Sequence, residues 1–200
     1  CVGCGNCQRS CIEANHLNPT SEQMKKLTSE TYTYLQKVDL DNGETRYVKR
    51  QCMHCLDAAC ASACPVVALH QTEEGPIAYR ANRCLGCRMC MVACPFGVPT
   101  FEWNDGLTPE IRKCMFCIER LREGELPACV SNCPSGALKF GTRDELLKEA
   151  HARIAANPDH YINHIFGEHE AGGTAWLYMS DTPFEKLGFR TDVTKREVPA

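Results

Sequence analysis

The sequence predicts an α+β protein in which a small, cysteine-rich unit is duplicated, interrupted by long insertions and followed by an extended C-terminal arm. Three observations predict this architecture. The 16 cysteines of the 200-residue chain fall into four groups of four, with none left over. Residues around these groups repeat along the chain, and short hairpin patterns lie between them.

The spacing within the groups points to a site that needs four thiolate ligands. Residues 84–94 follow the pattern C-x-x-C-x-x-C-x-x-x-C and are followed by Pro95. This run is the bacterial ferredoxin signature, whose last cysteine ligates the other [4Fe–4S] cluster of a pair. Because every group is complete, the sequence predicts four [4Fe–4S] clusters. The groups are Cys1, Cys4, Cys7 and Cys11; Cys52, Cys55, Cys60 and Cys64; Cys84, Cys87, Cys90 and Cys94; and Cys114, Cys117, Cys129 and Cys133.

Two other uses of the cysteines compete with this interpretation. Secreted chains rich in cysteine are often disulfide scaffolds, but cross-links between cysteines three residues apart would constrain the chain little. Paired C-x-x-C motifs also build zinc sites, and a zinc-stabilised structural scaffold is therefore an alternative. Zinc motifs usually pair two knuckles separated by a dozen or more residues. Three cysteines at successive third positions instead suit a loop wrapped around one cube.

An internal repeat indicates duplication of a two-cluster unit. The sequence QCMHC at 51–55 resembles KCMFC at 113–117, and CPVVAL at 64–69 resembles CPSGAL at 133–138. The groups also differ, because the fourth carries an insertion at 118–128 and the first lacks a proline after its last cysteine. We therefore expect duplicated ferredoxin-like modules with long insertions.

Two hairpins are predicted between the cysteine groups. The first covers 31–50, with its turn at Asp41, Asn42 and Gly43, because an Asn-Gly pair between alternating runs favours a tight turn. The second runs from Leu69 to Tyr79. The first hairpin is interpreted as a structural insertion, with a partner-docking arm as the alternative.

The C-terminal part predicts one helix and then an extended arm. Thr142 and Glu145 form a capping box, and apolar residues follow at helical spacing up to Ile154. The helix should end before Pro158. Beyond it, residues such as Trp176 and Phe184 must be buried against the body or against a neighbour, and we predict that the arm packs along a partner subunit.

The order of the four groups, with CMHC in the second and an insertion in the fourth, resembles a known family. It comprises the four-cluster iron–sulfur subunits of membrane-associated respiratory oxidoreductases, such as formate dehydrogenase N, quinone-linked nickel–iron hydrogenase, dimethyl-sulfoxide reductase and polysulfide reductase. The segments 140–147 and 170–189 resemble the formate dehydrogenase and hydrogenase branch. The resemblance implies bacterial two-[4Fe–4S] ferredoxin-like modules. The expected domains are a body at 1–142 (an outer module from 1–12 and 105–142, a hairpin at 31–50 and an inner module at 51–104) and a C-terminal helix and arm at 143–200.

The resemblance also implies how the cysteines are shared. In that arrangement the first and fourth groups exchange their last cysteines, and so do the second and third. Spacing alone leaves this open, because 19 residues separate both the second from the third group and the third from the fourth. The implied ligand sets are Cys1, Cys4, Cys7 and Cys133; Cys11, Cys114, Cys117 and Cys129; Cys52, Cys55, Cys60 and Cys94; and Cys64, Cys84, Cys87 and Cys90.

The expected function is electron transfer, without catalysis by this chain. No nucleophilic triad, phosphate-binding loop or isolated carboxylate pair competes with the cysteine groups. The resemblance implies a relay between a catalytic subunit of molybdopterin or nickel–iron type, or a multihaem cytochrome, and an integral membrane subunit that reacts with quinone. A free-standing polyferredoxin that shuttles electrons between soluble enzymes is the alternative.

Charge and hydropathy limit the other partners. The formal net charge of −3 offers no basic excess for nucleic acid, and the sequence has no apolar run of about 18 residues. Because the chain begins at a predicted ligand, we expect residues upstream of Cys1. The resemblance implies association through partners with the periplasmic face of the cytoplasmic membrane. Basic residues beside the last two groups either compensate cluster charge or form a solvated surface: Arg83, Arg88, Arg112, Lys113, Arg120 and Arg122.

Overall fold

The structure is a computed structural model that describes residues 1–194, in which short helices alternate with two-stranded antiparallel sheets. The helices are α1 (Asn6–Ala14), α2 (Ala59–Ser62), α3 (Met89–Ala93), α4 (Ile118–Arg122), α5 (Ala128–Ser131) and α6 (Arg143–Ala156). The strands are β1 (Tyr34–Asp39), β2 (Thr45–Arg50), β3 (Leu69–Gln71), β4 (Ile77–Tyr79), β5 (Thr100–Phe101) and β6 (Ile111–Arg112). This mixture of helices and small sheets confirms the predicted α+β character.

Both predicted hairpins are present. Strands β1 and β2 pair from Tyr34 opposite Arg50 to Asp39 opposite Thr45. Their turn lies where the sequence placed it, with Gly43 at φ +81° and its N–H donating to the Leu40 carbonyl, a conformation that glycine adopts without steric cost. Strands β3 and β4 form the second hairpin.

A third hairpin, β5–β6, was not predicted. Its strands have only two residues each, too few to show alternation in the sequence. The Thr100 hydroxyl donates to the Arg112 carbonyl at 2.9 Å and ties the two strands together. Tertiary contacts therefore define this hairpin.

The C-terminal helix α6 has the predicted start and end. The Thr142 hydroxyl accepts from the Glu145 N–H, and the Glu145 carboxylate accepts from the Thr142 N–H, which completes the capping box. The helix ends at Ala156, before Pro158. Its buried face places Ala150 and Ile154 against Ile165.

The segment after α6 folds back onto the cysteine-rich body. Phe166, Phe184 and Phe189 are buried in one core cluster with Val48 of β2 and Met53. Phe184 is thus covered by the chain itself. Packing of the arm along a partner stays a prediction, and positions 195–200 of the predicted arm lie outside the described residues.

Backbone pairing reinforces the return of this segment. Phe166 and Tyr178 exchange two N–H to carbonyl hydrogen bonds of 3.0 and 2.9 Å. Trp176 donates its N–H to the Met53 carbonyl, beside the second cysteine group. In the described part of the chain, none of the helices combines the length and the apolar character that crossing a bilayer requires.

Candidate iron–sulfur sites

All sixteen cysteines carry free thiols in the described structure. Their side chains nevertheless converge in space, each time from two distant parts of the chain. A disulfide framework would join such cysteines directly. The structure therefore gives no support to the disulfide alternative.

Three sets of four cysteines can be defined by the cavity or cleft that they line. Cys52, Cys55, Cys60 and Cys94 line one small cavity, named site C. Cys11, Cys114, Cys117 and Cys129 line another, site B. Cys1, Cys4, Cys7 and Cys133 line a larger cleft of about 480 Å³, site A.

Site D contains Cys64, Cys84, Cys87 and Cys90. Cys90 is buried, and Cys64 and Cys84 pack against its apolar cluster. Burial raises the pKa of Cys90 to about 11, and the charges of Cys84, Cys64 and Cys87 add to this rise. Cys90 thus lies near Cys64, Cys84 and Cys87, and the assignment of the four sets as cluster ligands stays a prediction.

A backbone turn recurs in the C-x-x-C motif of every group. Its third residue has a positive φ in each case: Gly3 (+75°), His54 (+49°), Gly86 (+65°) and Phe116 (+58°). In three groups the N–H of this residue donates to the sulfur of the first cysteine, at 3.4 to 3.5 Å. Only the two glycines were visible as turn signals in the sequence, because non-glycine residues seldom adopt this conformation.

A second turn follows the last cysteine of three groups. Val67, Gly97 and Gly136 lie three residues after Cys64, Cys94 and Cys133 and have φ of +53°, +62° and +60°. The turn directs the next N–H to sulfur, as from Ala68 to Cys64 at 3.2 Å and from Val98 to Cys94 at 3.5 Å.

These amides favour the thiolate form. Burial raises the pKa of Cys64, but backbone hydrogen bonds from Leu69, Val66 and Ala68 outweigh it, so the net pKa is lowered. Hydrogen bonding to a charged form stabilises that form. The same balance lowers the pKa of Cys133. Thiolates are the ligands of iron–sulfur clusters, so this geometry suits such a group.

Buried thiols in sites B and C need a cation to ionise. Burial raises the pKa of Cys60 to about 12, reinforced by the charges of Cys52 and Cys94. Burial likewise raises the pKa of Cys114 to about 12. Metal binding supplies the positive charge that keeps crowded thiols deprotonated. The donor sets therefore fit a metal-containing group.

The zinc alternative makes a definite demand on the ligand geometry. A tetrahedral zinc site with Zn–S bonds of about 2.3 Å requires sulfurs roughly 3.8 Å apart. Among residues 1–194, no group of three or more cysteine, histidine, aspartate or glutamate side chains is arranged to hold a metal ion.

Comparison with known proteins gives the family. The family model described as "4Fe-4S dicluster domain" matches residues 44–143. The chain belongs to the 4Fe–4S dicluster family. The matched range contains the second, third and fourth cysteine groups, whereas the first group lies outside it. Membership of the iron–sulfur subunit family predicted from the cysteine order is thus confirmed.

Longer relatives of the chain extend the similarity over the first cysteine group. A protein of Nitratidesulfovibrio vulgaris is 42% identical over 100% of the chain and 56% of its own length. The hydrogenase-2 operon protein HybA of Escherichia coli O157:H7 is 37% identical over 94% of the chain and 69% of its own length. The nitrate-inducible formate dehydrogenase iron–sulfur subunit of Escherichia coli K12 is 32% identical over 90% and 64%. The chain spans little more than half to about two thirds of these relatives.

Two buried lysines lie beside sites A, B and C. Lys113 is 4% exposed and Lys49 is 6% exposed. Lys113 was among the basic residues noticed in the sequence, whereas Lys49 was missed because a lysine in a hairpin normally indicates a solvated face. Three of the other basic residues form ion pairs at partly exposed positions: Arg112 with Glu102, Arg120 with Glu125 and Arg122 with Glu74.

His54 of the C-x-x-C motif is another buried polar residue at site C. Its Nδ1 accepts from the Ile77 N–H at 3.1 Å. Burial lowers the pKa of His54, and the charges of Lys113 and Lys49 lower it further. Neutral His54 therefore connects the second cysteine group to strand β4 as a hydrogen-bond acceptor.

Proposed function

We propose that the chain is an electron-transfer subunit that holds four [4Fe–4S] clusters, one at each of sites A to D. The observation that carries this proposal is the convergence of sixteen free cysteines into four sets, with backbone N–H groups directed at their sulfurs. When bound, such clusters exchange one electron at a time, at potentials set by charge, hydrogen bonds and exposure. The chain's own residues supply the ligands and these three influences.

The proposed ligands are the residues of the four sites as defined above. Sites A and B exchange their fourth cysteines, Cys133 and Cys11, and sites C and D exchange Cys94 and Cys64. This exchange is the expected mark of two duplicated two-cluster modules. It supports an outer module from 1–12 and 105–142 and an inner module at 51–104.

The sites are proposed to act in the order A, B, C, D. In this order, the charge of a thiolate at one site raises the pKa of a cysteine at the neighbouring site. Burial raises the pKa of the same cysteine. Cys4 of site A and Cys87 of site D are exposed, so the two end sites reach the surface. The pairs are Cys7 of A with Cys129 of B, Cys114 of B with Cys52 of C, and Cys60 of C with Cys90 of D.

The relatives suggest the partners. They are named as proteins of a hydrogenase operon and of formate dehydrogenase. We propose that this chain, not catalytic itself, relays electrons between a catalytic subunit of molybdopterin or nickel–iron type, or a multihaem cytochrome, and a quinone-reactive membrane subunit. Its place is then the periplasmic face of the cytoplasmic membrane, held there by these partners.

Elemental analysis of anaerobically purified holoprotein tests the cluster assignment. We expect about 16 iron and 16 sulfide atoms per chain. Cys60→Ser should remove iron from site C or leave a three-iron group there, whereas the neighbouring Ser62→Ala should retain the full content. Stoichiometric zinc with negligible iron would refute the proposal.

Affinity purification from the native host tests the proposed partners. Co-purification of a large cofactor-bearing subunit and a membrane subunit is expected. A loaded protein that is isolated alone and exchanges electrons with soluble enzymes would overturn the complex in favour of a polyferredoxin.

A further inference from the structure

Lys49 is a buried cation at the end of β2. Its Nζ donates to Gln51 Oε1 at 3.0 Å and lies 4.3 Å from the centre of the Trp176 ring. None of the ion pairs found within residues 1–194 involves Lys49. Burial of a charge is unfavourable unless an opposite charge compensates it, so the anionic partner must come from another kind of group.

The groups that surround Lys49 are the thiols of sites A and B. Lys49 lines the cleft of site A and also the cavity of site B. Burial raises the pKa of Cys7 and of Cys11, and the charge of Lys49 opposes the rise at both. The ammonium group thus stands in a wall shared by two neighbouring sites.

A hydrogen-bond network fixes this position. Gln51 Nε2 donates to the Tyr178 hydroxyl at 2.6 Å, and that hydroxyl donates to the Lys49 carbonyl at 2.6 Å. Gln51 therefore joins the ammonium group to a buried phenol that is anchored on the same strand. A side chain held at both ends keeps its charge at a constant place relative to sites A and B.

Lys113 repeats this arrangement at the next boundary. It lines site C and directly precedes Cys114 of site B. Its Nζ donates to the carbonyls of Ile77 and Cys114. These oxygens accept from two of its three N–H groups but carry no full negative charge.

We propose that Lys49 is the shared counter-charge of sites A and B, and that Lys113 has the same role between sites B and C. The inference rests on the proposed function, because the compensating charge is that of the iron–sulfur clusters with their thiolates. Each lysine is a tuning residue that stabilises the reduced, more negative state at the two sites beside it. The electron affinity of sites A to C is thereby raised.

Redox titration of the anaerobic holoprotein by electron paramagnetic resonance tests this role. At a fixed potential, Lys49→Met should reduce the ratio of reduced to oxidised cluster about tenfold at two of the four sites, which is a shift of about 59 mV for a one-electron couple. Lys49→Arg, which keeps the charge, should leave this ratio close to its wild-type value. Lys37→Met, on the exposed part of the same hairpin, should leave all four potentials unchanged.

Lys113→Met is an independent test. It should lower the reduction potentials of two sites, and one of these should be a site that Lys49→Met also affects. Fully loaded variants with unchanged potentials, or an equal shift at all four sites, would overturn the inference. If Lys49→Arg lowered the reduction potentials as much as Lys49→Met does, the inference would also be overturned, because altered packing would then explain the change. Failure of the wild-type protein to contain iron and sulfide would refute the proposed function instead.

Discussion

Replacement of Phe184 by alanine tests whether the C-terminal segment is part of the core of this chain. Phe184 is 1% exposed and lies with Phe166 and Phe189 at ring-centre distances of 5.3 and 5.1 Å. Val48 and Met53 of the cysteine-rich body complete the cluster. If the structure is right, removal of this ring weakens the attachment of the whole segment after α6.

The expected loss can be worked out from two contributions. Transfer of a fully buried phenylalanine side chain is worth about 1.5–3 kcal/mol. The unfilled volume adds up to about 2 kcal/mol, at about 24 cal/mol per Å³ of roughly 100 Å³. The sum agrees with the usual loss of about 3–5 kcal/mol for replacement of a buried phenylalanine.

Native-state hydrogen exchange followed by mass spectrometry is the assay, because it needs no reversible unfolding of a cluster-bearing protein. The N–H groups of Phe166 and Tyr178 bond to each other's carbonyls and report on the opening of the segment. A loss of 3–5 kcal/mol corresponds to exchange about 150- to 5,000-fold faster, as long as the segment recloses faster than its opened N–H groups exchange. Phe140→Ala is the matched control, since Phe140 is 42% exposed.

Two results would refute this reasoning. Exchange of both N–H groups within seconds in the wild-type subunit alone would show that the segment packs only on a partner. Equal acceleration by Phe184→Ala and Phe140→Ala would show that Phe184 does not occupy a tight core. Either result would leave the iron–sulfur sites themselves unaffected.

Three further predictions concern the backbone, the helix cap and the metal. Gly167→Ala should destabilise the segment after α6 by more than about 2 kcal/mol, seen as faster native-state exchange of the Phe166 and Tyr178 N–H groups, because φ is +100° and the new Cβ would lie 2.5 Å from the Trp176 carbonyl oxygen. Thr142→Ala should cost about 1 kcal/mol and speed exchange in the first turn of α6 roughly fivefold. Removal of iron by a chelator should unfold much of the body, seen as loss of far-ultraviolet circular dichroism, because the ligands are themselves core residues.

Each of these predictions has a control or a contrary result. Gly43→Ala, also at positive φ but with open space around its Cβ position, should cost less than Gly167→Ala, and equal costs would contradict the predicted clash. Thr191→Ala at an exposed position should not change exchange in α6. Full exchange protection after iron removal would show that the fold is stable without metal.

The elements that the sequence predicted are those with a local signal. The capping box of α6 depends on residues three apart, and the turn at Gly43 depends on adjacent residues, so neither needs tertiary context. The cysteine groups are likewise short patterns whose spacing reflects the ligand number of one cofactor. The hairpin β5–β6 has no such pattern, because two residues cannot show a period.

The positions of buried charges could not be predicted locally. Nothing in the local sequence distinguishes Lys49 and Lys113 from solvent-exposed lysines. They are buried because segments far away in the sequence pack over them. Tyr178, which bonds to the Lys49 carbonyl, is 129 residues distant. Hydrophobic residues of the last segment, such as Phe184, had two possible partners, and only packing decides between the body and a neighbour.

The sequence by itself determined the number of cysteines, their division into four groups of four, the two longer hairpins and the limits of α6. Only the tertiary structure decided which fourth cysteine approaches which loop. Two identical separations of 19 residues cannot distinguish the pairings, and chain reversal in space brings Cys133 to the first group and Cys11 to the fourth. The physical reason is that ligand number is a property of short loops, whereas proximity of distant loops is set by the packing of the whole chain.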